Sequence, residues 1–127
     1  MKKTRWILIV IGVVLALTIL LSFAAKEPLV GSWYAGELEQ SVIEISAVHG
    51  GVMVGTIVRS ADPDLVGVQA LRNIRRDSNG TYTATIYSAR RDMMLDGTLR
   101  LDGPDQLKVT GRKLFLTKTF EWKRVKA

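Results

Sequence analysis

An uncharged run near the N-terminus decides which part of this chain can form a globular core. Residues 6–25 hold 17 apolar side chains in 20 positions, and the three basic residues Lys2, Lys3 and Arg5 precede them. A helix that is apolar on every side needs a larger protein around it than the remaining 102 residues supply. We therefore predict an N-terminal hydrophobic helix in residues 1–25, acting as a signal peptide or membrane anchor, and a separate domain in residues 26–127.

The charges around this run predict its orientation in the membrane. Basic residues before an apolar segment favour a cytoplasmic N-terminus, so the domain after residue 25 is expected on the far side. Ser22 and Ala24 match the small-residue pattern of a signal-peptidase site, which predicts a soluble domain after cleavage near Ala24. About 20 apolar residues can also span a bilayer, so an uncleaved anchor in residues 6–25 remains the alternative.

Without the leader, the composition is that of an ordinary small domain. Of the 102 residues from 26 to 127, 42 are apolar, 15 are basic and 12 are acidic. This is enough for one core and excludes a wholly disordered chain. The basic excess is too small for a typical nucleic-acid binder, so we expect no nucleic-acid partner and keep an OB-type barrel only as a minor alternative.

Alternation of apolar and polar residues predicts strands throughout this domain. The segment Thr81–Tyr87 is the clearest, because Tyr82, Ala84 and Ile86 share one face and threonines occupy the other. Turn-forming residues recur at intervals of about 8 to 12 residues. The expected strands are 31–34, 41–48, 52–59, 66–71, 81–87, 93–101, 107–112 and 116–125.

Eight short strands of this kind predict a small all-β antiparallel barrel, because closure of the sheet removes its edges. Gly97 is expected to form a bulge or bend within its strand. The segment Leu65–Ile74 is the best candidate for a helix after residue 26, although Gly67 and several valines count against one.

The first and last strands carry a recognisable pair of motifs. Gly31-Ser32-Trp33 lies on the first, and Trp122-Lys123-Arg124 lies on the last. Together they resemble the calycin or lipocalin signature, in which a late basic side chain covers the tryptophan of a GxW motif. The resemblance implies that Gly31, Trp33, Trp122 and Arg124 are structural residues, with the Arg124 guanidinium over the Trp33 ring at the closed end of the barrel.

A longer resemblance covers residues 29–125. The chain is similar to the bacterial domain of unknown function 2147 family in seven segments that follow one another in the same order as in the family. They are LVGSW, VIEI, GTIV, IY, DGTL, LKVTG and WKRV. This implies a lipocalin-like barrel exported across the bacterial inner membrane into the periplasm, without an established activity. The chain departs from the family pattern at Val48 and Val54, where members often carry cysteines, and at Ala61–Val66, where their loop is longer.

The side chains expected to face the interior are large and apolar. They could line a pocket for a small apolar or amphipathic ligand, or they could fill the barrel as an ordinary core, which is the favoured interpretation for so small a perimeter. The predicted interior residues, besides the two signature tryptophans, are Ile43, Ile45, Tyr82, Ile86, Leu107, Val109 and Phe120.

The sequence offers little catalytic chemistry. The chain has no cysteine, no nucleophile elbow, no phosphate-binding loop and no metal-ligand spacing. His49 precedes two glycines and is expected in an exposed turn, and Asp62 and Asp64 flank Pro63 in a turn rather than in a Ca²⁺ site. We therefore expect no enzyme activity, no cofactor and no metal, and a hydrolase is a distant alternative.

Five arginines form the candidate basic surface: Arg72, Arg75, Arg76, Arg90 and Arg91. They could meet anionic lipid headgroups, or they could lie in solvated loops beside Asp77 and Asp92, which is the favoured interpretation. The leading hypothesis is thus a non-enzymatic envelope barrel that binds a small apolar or amphipathic molecule. The alternative is a membrane-anchored structural or protein-interaction module without a ligand cavity.

Overall fold

Eight antiparallel strands follow one another along the chain and close into a barrel, each paired with the next and β8 with β1. This computed structural model describes residues 27–78 and 80–126. The strands are β1 (Gly31–Ala35), β2 (Ser41–Ala47), β3 (Met53–Arg59), β4 (Gln69–Ser78), β5 (Thr81–Ser88), β6 (Met93–Leu101), β7 (Gln106–Lys113) and β8 (Leu116–Arg124).

The all-β class and the eight-stranded barrel predicted from the sequence are confirmed. The predicted hydrophobic helix in residues 1–25 lies outside the described residues. Over residues 27–78 and 80–126, no helix is sufficiently long and apolar for a membrane span. Every strand has a paired neighbour on each side, so residues 27–126 contain a closed barrel with its own core.

The strand order gives the barrel two different ends. Residues 27–30 and the β2–β3, β4–β5 and β6–β7 connections lie at one end, which we call the closed end. The β1–β2, β3–β4, β5–β6 and β7–β8 connections lie at the other, which we call the open end.

The core follows directly from the period-2 patterns. Inward positions alternate with outward ones along most strands, and about every second residue is then removed from water, whereas β4 and the open-end half of β8 depart from this pattern. The predicted interior residues that are buried are Trp33, Ile43, Ile45, Tyr82, Leu107, Val109 and Trp122, and they pack with Leu29, Leu71, Ile74 and Leu99.

The fourth strand differs most from the prediction. It runs from Gln69 to Ser78 rather than from 66 to 71, and the helix candidate at Leu65–Ile74 is instead the end of a 3₁₀ turn (Pro63–Leu65) followed by this strand. Register shifts interrupt its pairing with β3 and β5, and Asn73 has a φ of 53°. These irregularities break the clean alternation on which the sequence prediction depended.

Gly97 also differs from its predicted role. The β5–β6 pairing runs without a register shift from Thr81↔Arg100 to Ser88↔Met93, so Gly97 forms no bulge with β5. A Cβ atom there would come within 2.7 Å of the Ile86 Cγ1 atom. The glycine therefore makes room for the inward-facing Ile86 side chain.

Two loops cover the open end above β1–β3. The Ser41 hydroxyl is buried and donates to the Leu38 carbonyl, and its oxygen lies 2.9 Å from the Ser60 Oγ atom. The Ala61 amide donates to the Glu39 carbonyl at 2.9 Å, which joins the β1–β2 and β3–β4 loops. Leu38 and the buried Leu65 pack inward from these loops against the core.

Candidate functional site

The closed end is sealed by a tryptophan and an arginine from opposite ends of the domain. Trp33 is fully buried and its Nε1 atom donates to the Leu29 carbonyl at 2.9 Å. The Arg124 guanidinium carbon lies 4.3 Å from the centroid of the Trp33 ring, as the signature predicts. Its nitrogens donate to the carbonyls of Pro104 (2.9 Å), Val30 (3.1 Å) and Pro28 (2.5 Å). Among the described residues, Trp33 and Arg124 therefore fill this end of the interior with protein groups.

Gly31 provides the space for that arginine. Its φ is +141°, a conformation that side-chain-bearing residues rarely adopt, and a Cβ atom would lie 2.6 Å from the Arg124 Nη1 atom. The glycine of the GxW motif is thus required both by backbone conformation and by the close approach of the guanidinium.

A second polar group closes the same end beside Tyr82. The Tyr82 hydroxyl donates to the Glu27 Oε1 atom at 2.7 Å, and Arg76 lies 3.5 Å from that carboxylate oxygen. Burial of Tyr82, together with its hydrogen bond to Glu27, raises the pKa of Tyr82 to about 12. The phenol therefore stays protonated and acts as a structural donor rather than as a base.

The barrel wall is incomplete at the open end, where β1 is too short to accompany β8. The two strands pair only at Trp33↔Arg124 and Tyr34↔Lys123, because β1 ends at Ala35. The half of β8 nearer the open end, Leu116–Glu121, pairs with β7. We call this opening between the end of β1 and β8 the seam gap.

A carboxylate from the β1–β2 loop lies at the edge of the seam gap that is nearer the closed end. Glu37 is exposed, and its Oε1 atom accepts a 2.5 Å hydrogen bond from the Nε1 atom of the buried Trp122. This contact satisfies the only polar atom of the indole. It places a negatively charged group next to the barrel interior.

The seam gap explains why Phe120 is not buried. Phe120 pairs with the inward-facing Val109, so its ring is on the interior side of the wall, yet it remains 37% exposed. Phe120 has the predicted inward placement but is not buried, because no β1 residue lies beside it beyond Ala35. An inward-facing aromatic side chain thus remains accessible to solvent or to a ligand.

The wall next to Phe120 is formed by two large apolar side chains and one glycine, and Lys118, which pairs with that glycine, has the same inward parity. Ile86 and Leu95 face inward and are half-buried, whereas Tyr82 and Leu99, nearer the closed end on the same two strands, are fully buried. A Cβ atom on Gly111 would lie 3.5 Å from the Ile86 Cδ1 atom and 3.6 Å from the Leu95 Cδ1 atom. We call the half-exposed inner surface formed by Ile86, Leu95, Gly111 and Phe120 the open-end cup.

The five arginines predicted as one basic surface lie in separate places. Arg72 stacks 4.5 Å from the Tyr87 ring centroid, and the Arg75 Nε atom donates to the Asn73 Oδ1 atom at 2.9 Å. Arg76 is at the closed end. Arg90 forms an ion pair with the Glu39 carboxylate in the open-end loops, and the following residue, Arg91, is exposed. The first three lie on β4 rather than in the predicted loop.

The residues considered for catalysis lie in turns, where they have roles in the backbone structure. His49 lies in the exposed β2–β3 turn, where Gly50 and Gly51 both have positive φ values. The Asp62 Oδ1 atom accepts from the Asp64 amide at 3.1 Å and caps the 3₁₀ turn. Among the residues that the structure describes, no three His, Cys, Asp or Glu side chains are placed to hold a metal ion.

Three residues of the cup region, Leu95, Gly111 and Glu37, were not predicted as site residues from the sequence. Leu95 lies in the predicted strand 93–101, but half-exposure of its side chain depends on the length of β1. Glu37 carried no local signal, since its partner Trp122 is 85 residues away.

Comparison with known proteins gives one family and one solved structure. Residues 31–124 match the model of a family described as "Uncharacterized protein conserved in bacteria (DUF2147)". The chain is similar in structure to protein HP1028 from Helicobacter pylori, described as belonging to the lipocalin family, with a TM-score of 0.62 and 15% identity. That similarity covers 76% of this chain and 82% of the other. No curated protein matches the chain.

Proposed function

Because the chain belongs to the DUF2147 family of bacterial proteins and folds as a lipocalin-like barrel, we propose that it binds a small apolar or amphipathic molecule in the open-end cup. The observation that carries the proposal is the contrast between the two ends of the interior. Inward side chains in the closed half such as Trp33, Tyr82 and Leu99 are 0% exposed, and its outermost positions, Ala47 and Leu101, reach solvent, whereas Phe120 is 37% exposed on the same inner face.

The chemistry of the cup fits such a ligand. Exposed apolar surface on an inner wall is favourable to cover, at about 25 cal/mol per Å² removed from water. Gly111 leaves about the space of one methyl group beside Ile86 and Leu95, and Glu37 supplies a charged group at the rim. An apolar wall with few polar groups at its edge is typical of ligand sites in barrels.

The proposal includes export and a non-enzymatic role. The basic residues before the apolar run support transfer of the barrel to the periplasm, either anchored through residues 6–25 or released near Ala24. His49 lies at the opposite end of the barrel from the cup, which supports binding rather than catalysis there.

The filled closed half favours the second candidate function, a structural or protein-interaction module without a ligand cavity. Trp33, Tyr82 and their neighbours occupy the interior there, as expected for an ordinary core. The two candidate functions differ in whether the cup binds a small molecule.

A dye-binding titration on residues 26–127 separates the two functions. We expect the apolar dye N-phenyl-1-naphthylamine to bind saturably and a long-chain fatty acid to displace it. Phe120→Ser should weaken binding by about tenfold or more, because it removes a large apolar contact. Gly111→Leu should block binding by filling the cup.

The matched control is Thr119→Ser, an outward-facing change next to Phe120, which should leave binding unchanged. Circular dichroism establishes that each variant keeps the barrel. Non-saturable binding, or equal affinity in Gly111→Leu and the unmodified protein, would reject the cup as a ligand site and favour the interaction module.

A further inference from the structure

The β7–β8 hairpin ends in three large apolar residues that are almost fully exposed. Leu114 is 92%, Phe115 103% and Leu116 58% exposed. We call these three residues the apolar tip. Neither neighbouring strand pairs with this end of the hairpin, since β6 pairs with β7 only as far as Arg112 and β1 pairs with β8 only near its C-terminal end.

Neither packing nor turn geometry explains the composition of the apolar tip. Leu114 has a φ of 54°, which a two-residue hairpin turn ordinarily fills with glycine or asparagine. A leucine in this conformation is unfavourable, and an exposed phenylalanine contributes no burial to the core. A polar Asn-Gly turn would stabilise the isolated domain better, so the apolar residues fit a role outside it.

Basic residues surround the apolar tip. Arg112, Lys113 and Lys118 flank it, all are exposed, and residues 111–120 contain no Asp or Glu. Asp96 is opposite Arg112 on β6, but within the described residues none of these three cations forms an ion pair. The hairpin end therefore combines three apolar side chains with three unneutralised positive charges.

We propose that the apolar tip inserts into the interfacial region of an anionic lipid bilayer. Leucine and phenylalanine side chains enter the boundary between headgroups and acyl chains, and the cations meet the anionic headgroups. A second copy of the chain is a poorer occupant, because both tips carry like charge. A narrow convex tip also offers far less area than the roughly 800 Å² per partner of a stable protein interface.

The position of the apolar tip determines which surface it reaches. It lies at the open end, whereas Glu27, where the chain enters the barrel, lies at the closed end. The nine residues of β8 span about 30 Å along the strand between them. The apolar tip and the residue at which the described chain enters the barrel therefore lie at opposite ends of the domain.

The inference goes beyond the proposed ligand site and rests on different residues. The absence of cysteine from the chain allows a single reporter to be placed on the full-length protein. A polarity-sensitive nitrobenzoxadiazole dye is attached to Thr117→Cys next to the tip, or to His49→Cys in the closed-end turn as the matched position. The full chain is reconstituted into phosphatidylcholine vesicles.

Lipids carrying an acyl-chain spin quencher are then supplied together with phosphatidylglycerol, either in the host vesicles or in added protein-free vesicles. We expect quenching and a blue shift of the dye at position 117 in one of these arms, and neither at position 49. Quenching by the added vesicles shows that the open end faces away from the host bilayer, and quenching by the host vesicles shows that it faces toward it.

Two variants tie the signal to the proposed chemistry. Phe115→Ser should lower the fraction quenched by tenfold or more without unfolding the barrel, since Phe115 makes no core contact. Lys113→Gln should weaken the effect about fivefold, and phosphatidylcholine alone should give little quenching. Absence of quenching in both arms, or equal quenching in Phe115→Ser, would overturn the proposal. Dye self-quenching before any quencher lipid is added would instead identify a second copy of the chain as the occupant.

Discussion

The contact between Arg124 and Trp33 should carry a measurable share of the stability of the barrel. Arg124→Ala removes three hydrogen bonds to the carbonyls of Pro28, Val30 and Pro104 and one stacking contact with the Trp33 ring. Water can reach part of this site, because 21% of the Arg124 side chain is exposed, so the freed carbonyls are partly rehydrated. We therefore expect a loss of about 2 to 3 kcal/mol in the free energy of unfolding.

The partner change is Trp33→Phe, which keeps an aromatic ring but removes the Nε1 donor. The Leu29 carbonyl then loses a buried 2.9 Å hydrogen bond, at a cost of about 1 to 3 kcal/mol. The smaller ring also attracts the guanidinium less strongly. The two changes touch the same contact, so their effects should not add.

Urea unfolding of residues 26–127, followed by far-ultraviolet circular dichroism, measures all four members of the double-mutant cycle. The coupling energy should be at least about 0.5 kcal/mol. Lys123→Ala, an exposed change on the same strand, is the control and should stay within about 0.5 kcal/mol of the unmodified protein. Additive losses would show that the observed stacking does not stabilise the domain and would refute this reasoning.

Three further predictions concern other features of the chain. Gly31→Ala should destabilise the barrel by at least about 1 kcal/mol in urea unfolding, because it imposes a strained φ and displaces the Arg124 guanidinium; an unchanged midpoint would contradict this. Because the pKa of Tyr82 is raised from 10.0 to about 12, its contribution to stability should be complete below pH 10 and should fall as the pH rises toward 12. Ultraviolet titration should find one phenol with a pKa of about 12, and Glu27→Gln should lower this pKa. A phosphatase that is active only after export, fused after Ala127, should be active in cells, and an inactive fusion would contradict the predicted orientation of the leader.

The sequence predicted the strands well wherever one face of a strand is buried. The segment from Thr81 to Ser88 keeps strict alternation and pairs in register with β6 along its whole length. By contrast, β4 contains register shifts at Arg72–Arg75 and Arg76–Ser78, so its alternation fails and its bounds were predicted poorly. Local patterns describe regular pairing, and they lose information where the pairing shifts.

The candidate site was harder to predict than the fold. The seam gap depends on where β1 ends relative to β8, and the residues that meet there are separated by most of the domain. Phe120 has the inward parity of a core residue, and its parity was predicted correctly. Its exposure comes from the absence of a neighbouring strand, which no period in the local sequence can indicate.

The closure of the barrel also has a consequence for how the domain folds. The hydrogen bonds from Arg124 to Val30 and Pro28 join residues 94 and 96 positions apart. The closed end of the barrel therefore forms only after β8 has paired with β1. Forming contacts of such long sequence separation reduces the conformational entropy of the chain strongly, and this slows the folding of all-β domains. A chain still lacking its final residues can form its hairpins but cannot close the cylinder. The order of synthesis thus delays the native state until the C-terminus is present.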